Sequence, residues 1–283
     1  MAIYNLDGTS LNDTAYGLDG AALAQAYDIN GDELFDGGQS NFVVMTYNVQ
    51  WFSGLNLNQS MQEEILSAYA PDVIGFQEFQ RYNLSDIPAL ATTLLSADYP
   101  YLEMGNYGNK NAIASKYQLK DFTTVPHTTQ TMDGQSYSTA TITFQGKEIF
   151  LLDAHLTTSD YEATKVEQAG EVFDALQGHE YFILTGDFNT VCKSVNDTEY
   201  TTIMKQFVDA GYNIANCSAQ HGFIDTWTSG STAGGTWYPC DHIITSGNIR
   251  IDAVVADQRK IAVAAQTGQS IDHIPLIAFL TIL

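Results

Sequence analysis

The order of apolar and polar positions predicts alternating strands and helices along most of the chain. Short apolar runs between turn residues are typical of buried strands, whereas an apolar residue every three or four positions is typical of a helix that buries one face. The predicted strands are Phe42–Tyr47, Val73–Gln77, Asn111–Ser115, Ala140–Phe144, Glu148–Leu156, Phe182–Thr185, His242–Thr245, Ile249–Val255 and Pro275–Leu280. The predicted helices are Ser60–Tyr69, Ile87–Leu95, Asp160–Leu176 and Glu199–Asp209. This alternation favours two sheets packed face to face with helices on the outside.

The first forty residues follow a different pattern, an internal repeat of the form Tyr-x-(Leu/Ile)-(Asn/Asp)-Gly-x-x-Leu. Its three copies occupy residues 4–11, 16–23 and 27–34. Asp-Gly and Asn-Gly favour tight turns of type I′, because both central residues of such a turn have positive φ. We therefore predict a β-hairpin repeat segment at residues 1–40 and a separate folded domain at residues 41–283.

A segment of about forty residues buries too little apolar surface to be stable alone. We expect the hairpin repeats to pack on the main domain, on a partner or on another copy of themselves. The repeats therefore make a surface-attachment or assembly protein an alternative to an enzyme.

Composition indicates a globular protein, since hydrophobic residues make up 45% and charged residues 16% of the 283 positions. No apolar run reaches the ~18–20 residues of a membrane-spanning helix, so no transmembrane segment is predicted. The start of the sequence shows no signal peptide, but a signal removed earlier would leave the same sequence, so a cytoplasmic and a secreted location both stay open. The odd number of cysteines, Cys192, Cys217 and Cys240, argues for free thiols.

The charge balance bears on the class of partner. The net charge is -22 and only 11 residues are Lys or Arg, whereas a tight nucleic-acid binder usually has a basic face. A bound divalent cation changes the local field, so an acidic chain of this kind is still compatible with cutting a polyanion.

Chemically reactive side chains recur directly after predicted apolar strands, where loops at one sheet edge converge. A carboxylate at the end of a buried strand is costly unless it is exposed, paired or bound to a metal. A carboxylate beside an imidazole is the usual arrangement for orienting a general base or a metal ligand. The clusters are Thr46-Tyr-Asn48-Val, Gly75-Phe-Gln-Glu78, Asp153-Ala-His155-Leu, Gly186-Asp187-Phe-Asn189, Cys240-Asp241-His242 and Ile271-Asp272-His273-Ile-Pro275. Each cluster alone also fits a turn cap or a surface residue, but their combination favours a reacting centre.

In this order, and with Asn111-Ala-Ile-Ala-Ser-Lys116 among them, the clusters resemble the motifs of the endonuclease/exonuclease/phosphatase superfamily over residues 41–283. That superfamily includes DNase I-like nucleases, abasic-site endonucleases, neutral sphingomyelinases and inositol polyphosphate 5-phosphatases. The resemblance implies an α/β (α+β) fold of the DNase I-like type, a four-layered α/β sandwich in which two packed mixed β-sheets are flanked by helices. It also implies a metal-dependent phosphoric ester hydrolase.

The resemblance further implies a divalent metal centre. Glu78 would bind the ion, with Asn48 and Asp272 as further ligands. Hard oxygen ligands suit Mg²⁺ or Mn²⁺, and Ca²⁺ is kept as an alternative. Such an ion would neutralise a phosphoryl oxygen and the charge that develops on the leaving oxygen.

The catalytic roles implied by the resemblance fall on five residues. His273 would act as general base on the attacking water and would be oriented by Asp241. Asp187 would align that water or the leaving group, and Asn189 would hold a phosphate oxygen. His155 would donate a hydrogen bond or a proton to the phosphate, and no covalent intermediate is expected.

Several positions bear on the substrate. A histidine at position 155 resembles the DNase I, sphingomyelinase and inositol phosphatase branches of the superfamily. The abasic-site endonucleases have a tyrosine at that place. Arg81, Asn111 and Lys116 are predicted to bind substrate, with a purely structural role as the alternative for Lys116. Trp237 is predicted to shape the pocket, with entry into a lipid surface as the alternative.

We predict a phosphodiester substrate, first of all DNA or RNA cut by an endonuclease or exonuclease. A sphingomyelinase-like enzyme or another lipid or small-molecule phosphodiesterase is the alternative. Inositol polyphosphates are disfavoured, because their head groups need clusters of basic residues. A surface-attachment protein with a secondary hydrolase domain is the alternative from a different class.

Overall fold

The computed structural model describes five long ranges of the chain and four short strands near its start. The long ranges are residues 40–53, 58–81, 98–130, 134–158 and 162–283. The short strands pair antiparallel, β1 (Ile3–Tyr4) with β2 (Ser10–Leu11) and β3 (Gln25–Tyr27) with β4 (Glu33–Asp36). They coincide with the first and third copies of the repeat. The second copy and the predicted helix Ile87–Leu95 lie outside the described residues, and the division at residue 40 stays a prediction.

The main domain alternates strands and helices. Its strands are β5 (Phe42–Asn48), β6 (Val73–Gln80), β7 (Tyr101–Met104), β8 (Lys110–Ser115), β9 (Lys120–Pro126), β10 (Ser136–Phe144), β11 (Lys147–His155), β12 (Phe182–Asp187), β13 (Asn213–Ile214), β14 (Trp227–Thr228), β15 (Trp237–Tyr238), β16 (Asp241–Thr245), β17 (Ile249–Ala256) and β18 (Leu276–Ile282). Its helices are α1 (Gln59–Tyr69), α2 (Glu162–Ala175), α3 (Lys205–Asp209), which continues a π-helical turn at Tyr200–Met204, and α4 (Arg259–Thr267). Each predicted strand corresponds to one of these strands.

Two six-stranded sheets form the centre of the domain. One has the order β17-β18-β5-β6-β8-β7 and the other the order β13-β16-β12-β11-β10-β9. In each sheet one central pair is parallel, β5 with β6 and β11 with β12, and the other pairs are antiparallel. Both sheets are therefore mixed, as predicted, and each brings two strand ends to the same edge.

Three apolar clusters separate the layers. The cluster between the sheets combines side chains from both, such as Val44 and Ile113 from one and Ile142 and Ile183 from the other. The outer face of the first sheet packs on α1 and α4, and the outer face of the second packs on α2 and α3. Burying a sheet face against helices removes its apolar side chains from water. The result is the four-layered α/β sandwich that the sequence predicts.

Three buried polar side chains, Gln77, Asp153 and Thr185, join the two sheets. Asp153 Oδ1 accepts hydrogen bonds from Gln77 Nε2 at 2.6 Å and from Thr185 Oγ1 at 2.7 Å. Gly75 makes this approach possible, because a Cβ atom there would lie 1.9 Å from Thr185 Oγ1. Burial raises the pKa of Asp153 well above its usual value. Buried hydrogen bonds of this kind fix the position of the two sheets against each other, although Asp153 Oδ2 has no described partner.

Several elements were not predicted from the sequence. Strands β7 and β9 lie at sheet edges and are largely exposed, and β13, β14 and β15 contain two residues each. Short or exposed strands lack the apolar run on which the prediction depends. The three cysteines are free and buried, as predicted. No helix among the described residues combines the length and apolar character needed to cross a membrane.

Candidate active site

The parallel strand pairs bring reactive side chains to one edge of the sandwich. Asn48 ends β5, His155 ends β11 and Asp187 ends β12. His155 and Asp187 are directly paired across β11 and β12, and Asp187 is in turn paired with Asp241 at the start of β16. Because the register is continuous across three strands, these side chains meet at one point.

His273 lies between two carboxylates at this point. Its Nδ1 is 2.9 Å from Asp241 Oδ2, and its Nε2 is 3.4 Å from Asp187 Oδ2. Burial lowers the pKa of His273, but the negative charges of Asp241, Asp187 and Asp272 outweigh burial and raise it to about 10. The imidazole is therefore held in one orientation by a buried carboxylate, with its second nitrogen directed at another.

Glu78 faces the same point from the other sheet. Its backbone φ of 49° lies in the left-handed region, which glutamate rarely adopts. Oε1 lies 3.5 Å from Asn48 Nδ2 and 3.9 Å from His155 Nε2, whereas Oε2 is buried without a hydrogen-bond partner in the described part of the chain. Burial raises the pKa of Glu78. A strained backbone and a buried, unsatisfied carboxylate oxygen are typical of a functional site.

Asp187 is the most highly connected carboxylate. Asn48 Nδ2 donates to its Oδ2 at 2.9 Å, and the backbone N–H of Asn189 donates to its Oδ1 at 2.8 Å. His155 Nε2 lies 3.7 Å from Oδ2. Burial favours the neutral carboxyl, but the imidazoles of His273 and His155 and these hydrogen bonds outweigh it, so the pKa of Asp187 is lowered. Asp187 is thus held ionised.

The second Asp-His dipeptide and its surroundings complete the site. Asp272 Oδ2 accepts a hydrogen bond from Gln50 Nε2 at 2.9 Å, and the Trp227 indole donates to the same carboxylate. Burial raises the pKa of Asp272. Asn189 Nδ2 donates to Leu156 O at 2.8 Å, so one of its amide hydrogens already has an acceptor within the fold.

An open cleft lies above these residues, with a volume of about 370 Å³. It is lined by Trp51, Glu78, Arg81, Asn109, Gln135, His155, Leu156, Thr158, Asp187, Asn189, Trp227, Asp272 and His273. Asn48 and Asp241 lie directly behind this lining, through their contacts with Asp187 and His273. All eight residues predicted to bind metal or act in catalysis therefore meet at one cleft, as does Arg81.

Comparison with known proteins identifies the chain. A sequence profile of the Endonuclease/Exonuclease/phosphatase family matches residues 45–265. The chain belongs to the endonuclease/exonuclease/phosphatase family. The predicted enzyme class, a phosphoric ester hydrolase, is confirmed by this membership. No curated protein sequence matches the chain.

Solved structures of this family share the fold. TDP2 of D. rerio, in complex with a single-strand DNA product, is 18% identical with a TM-score of 0.66, over 85% of this chain and 98% of that one. A family protein from Leptotrichia buccalis is 19% identical with a TM-score of 0.64, over 85% and 100% of the two chains. The human Nocturnin catalytic domain with a bound sulfate is 18% identical with a TM-score of 0.60, over 86% and 94%. The DNase I-like fold class predicted from the sequence is confirmed.

Within this family fold, three residues that the sequence predicts to bind substrate or shape the pocket, Asn111, Lys116 and Trp237, lie outside the cleft lining. Lys116 Nζ donates to Ala70 O at 2.5 Å and lies 3.6 Å from Asp72 Oδ1, beside the start of β6 rather than near Glu78. Lys116 therefore connects the end of β8 to the residues that precede β6.

The other two, buried Asn111 and half-buried Trp237, contact other parts of the fold. Asn111 is fully buried, and its Nδ2 donates to the backbone oxygens of Ser136 and Asp153. Trp237 packs on the core beneath the first sheet, and its indole N–H donates to Ala233 O at 3.3 Å. Its hairpin partner strand supplies Trp227 to the cleft instead.

Residues that the sequence analysis did not predict at this site include Gln50, Trp51, Trp227 and Lys260. Gln50 and Trp51 follow the Thr46-Tyr-Asn48-Val cluster directly, so a tryptophan beside a reactive cluster was the available signal for Trp51. Trp227 is not adjacent to any of these clusters in the sequence. Lys260 is fully buried, and its Nζ donates to His273 O at 2.6 Å. Burial lowers the pKa of Lys260 to about 7. No sequence signal marks Lys260, because helix α4 was not predicted.

Proposed function

We propose that this chain is a divalent-metal-dependent phosphodiesterase that hydrolyses nucleic acid by direct attack of water. The observation that carries the proposal is the position of His273. One ring nitrogen is paired with buried Asp241 at 2.9 Å, and the other is directed at the ionised Asp187 at 3.4 Å above an open cleft. A carboxylate-oriented imidazole at the floor of an open cleft is suited to take a proton from water.

The donor set of the cleft fits a divalent metal ion. Ligand atoms of Asp187, Asp241 and His273 lie within 4.8 Å of one another. Asp241 Oδ1 and Glu78 Oε2 are both buried without a described hydrogen-bond partner, but Glu78 lines the cleft whereas Asp241 lies behind its lining and is already paired with His273. We therefore assign Glu78, with Asn48 and Asp272, as the residues that would hold Mg²⁺ or Mn²⁺, with Ca²⁺ as the alternative.

Each protein group has a definite part in the proposed reaction. When bound, the metal ion supplies charge neutralisation for the phosphate and the leaving oxygen. Asp241 fixes His273 so that Nε2 of the neutral imidazole would accept the proton of the attacking water. The positive charge of a bound cation would favour this neutral state, because it opposes the carboxylates that raise the pKa of His273. Asp187, held by two amide donors, keeps that water in line with the phosphorus atom. His155 and the remaining amide hydrogen of Asn189 donate to phosphate oxygens.

Nucleic acid is the proposed substrate class because TDP2 of D. rerio, which shares this fold, has been solved with a single-strand DNA product. The exposed Arg81 at the cleft supplies a cation for phosphate. It is also the only Lys or Arg among the described lining residues, and the net charge is -22. That scarcity of cations favours one second candidate, a phosphodiesterase for small or lipid substrates.

The test is a substrate panel with Mg²⁺, Mn²⁺ or Ca²⁺ and a chelator arm. Plasmid DNA, single-stranded DNA, RNA, sphingomyelin and phosphoinositides are supplied to the wild type and to His273→Ala. We expect cleavage of nucleic acid that the chelator abolishes and that falls about 10²–10⁴-fold in the variant. Cleavage of sphingomyelin without nuclease activity would replace the first candidate with the second.

Glu78→Gln tests the metal assignment against Glu103→Gln on the exposed edge strand β7. Loss of a charged ligand should raise the Mg²⁺ concentration for half-maximal activity by about 10- to 100-fold. The Glu103 variant should titrate like the wild type. Equal Mg²⁺ requirements for both variants would remove Glu78 from the metal centre.

For residues 1–40 we propose attachment or self-association. Deletion of the segment should leave hydrolysis of a soluble substrate intact while the oligomeric state or surface binding changes. Loss of hydrolysis together with a lower melting temperature would instead make the segment part of the catalytic fold.

A further inference from the structure

One wall of the cleft carries a tryptophan and an arginine in direct contact. The Arg81 guanidinium carbon lies 4.5 Å from the centre of the Trp51 ring. Both side chains line the cleft above Glu78 and His273, and both retain exposed surface. A guanidinium stacked on an indole is a flat, cationic surface, which suits a planar ring that is joined to a phosphate.

The backbone turn that carries Trp51 is strained. Gln50, Trp51 and Phe52 have φ values of 45°, 52° and 54°, in the left-handed region that such residues rarely adopt. Phe52 is buried and packs edge-on against Phe79 at a centroid distance of 5.4 Å. Strain held in place by packing is characteristic of functional sites.

The same turn is tied to the proposed metal ligands. The Gln50 backbone N–H donates to Asn48 Oδ1 at 2.9 Å, and the Gln50 side chain donates to Asp272 Oδ2 at 2.9 Å. These bonds fix the position of Trp51 relative to the point where the scissile phosphate would lie. The turn therefore holds the backbone of Trp51 at a set position relative to the reacting centre.

The small number of cations in the cleft lining determines which class of ligand fits. Binding of a duplex depends on many phosphate contacts, and the described cleft lining offers one Lys or Arg. Stacking contributes affinity without cations, but it requires an unpaired base whose face is open. A choline head group is disfavoured, because the Arg81 guanidinium carbon, 4.5 Å from the centre of the Trp51 ring, repels a second cation at this site.

We propose that Trp51 and Arg81 form a subsite that stacks an unpaired nucleobase next to the scissile phosphate. The substrate is accordingly a single-stranded nucleic acid, bound through one or a few nucleotides. This inference rests on the proposed phosphodiesterase function of the same cleft.

The experiment compares two single strands of equal length and charge with Mg²⁺. One carries normal bases, and the other carries tetrahydrofuran abasic sites around the cleavage position. The wild type should prefer the base-containing strand in kcat/KM. Trp51→Leu should reduce that preference by about 5- to 150-fold, the range for losing one base–aromatic stack. Trp51→Phe should restore most of it, because phenylalanine also stacks.

Two variants serve as controls. Trp237→Leu removes a tryptophan that lies outside the cleft lining, and Arg250→Gln removes an exposed arginine on β17 that pairs with Asp252. Both should keep the wild-type preference for the base-containing strand. Arg81→Gln should reduce the preference, whereas Arg81→Lys should restore it only in part, because an ammonium group lacks the flat face of the guanidinium.

Binding keeps this inference separable from the proposed function. Fluorescence anisotropy in a His273→Ala background gives the ratio of Kd values for the two strands without turnover. A Trp51→Leu variant that weakens both strands equally would overturn the subsite, as would a wild type that prefers duplex to single strand. Base-dependent binding without hydrolysis of either strand by the wild type would support the subsite and contradict only the phosphodiesterase function.

Discussion

Asp241 and His242 are neighbours in sequence, but they lie on opposite faces of β16 because side chains alternate along a strand. Asp241 contacts His273, from which it is separated by 32 positions. His242 contacts Thr190 at 2.7 Å on the other face, where burial lowers its pKa to about 4. Of two Asp-His dipeptides in the sequence, neither forms the reactive pair within itself.

This geometry predicts the effect of removing the pair. Asp241→Asn should lower kcat by about 10²–10⁴-fold with little change in KM, because the asparagine no longer stabilises or orients the imidazole. His273→Ala should cost a similar factor. The double variant should be no worse than the worse single variant, since the two residues act as a unit.

Steady-state kinetics and circular dichroism check this prediction together. Far-ultraviolet spectra should match the wild type, which separates a catalytic loss from unfolding. If the two losses multiply in the double variant, the pair does not act as one unit and the assignment of Asp241 as the orienting group fails.

At the scale of elements, the site depends on how closely strand β6 approaches β12. Gly75 allows the contact, and the polar group of Gln77, Asp153 and Thr185 holds it. Glu78 is the third residue after Gly75, so any displacement of β6 moves the proposed metal ligand. Packing between the sheets and chemistry at their edge are therefore linked through one strand.

Two glycine substitutions test this link. Gly75→Ala places a Cβ atom 1.9 Å from Thr185 Oγ1 and should destabilise the fold by about 1–3 kcal/mol while lowering activity. Gly170→Ala lies in α2, where an added Cβ meets no atom within 4 Å, and should stabilise by about 0.5–1 kcal/mol. Urea denaturation of both variants measures the difference. A Gly75→Ala protein as stable as the wild type would contradict the close approach of the sheets.

At the scale of the whole molecule, the net charge of -22 opposes a polyanionic substrate. The sparse cations around the cleft limit the number of phosphates that the protein neutralises. Long-range repulsion is screened by salt, whereas the stacking and metal contacts at the cleft are short-ranged. The balance between these effects sets the salt dependence of the reaction.

We expect kcat/KM on a single-stranded oligonucleotide to rise with salt, opposite to a basic nuclease. Raising ionic strength from about 0.01 M to about 0.15 M shortens the Debye length from about 30 Å to about 8 Å. A mononucleotide p-nitrophenyl ester with one charge serves as the control and should change little. A steep fall of kcat/KM for the oligonucleotide would indicate a cationic binding surface that the described residues do not show.

The sequence by itself determined the fold class, and through its resemblance to a known family it predicted the members of the candidate reacting centre. Apolar runs set the strands, and the order of short motifs set Asn48, Glu78, His155, Asp187, Asn189, Asp241, Asp272 and His273 at one cleft. Both the apolar runs and the motifs are local signals, because each is recognised within a few consecutive residues.

Only the tertiary structure decided which neighbours those residues have. Lys116 ends one motif, and Trp237 comes shortly before another. The register of β8 nevertheless directs Lys116 away from the cleft, and the β14–β15 hairpin does the same for Trp237. Trp51 and Lys260 reach the site through a left-handed turn and through an unpredicted helix. Side-chain direction and contacts between distant segments depend on register, turn conformation and packing, which no local pattern specifies.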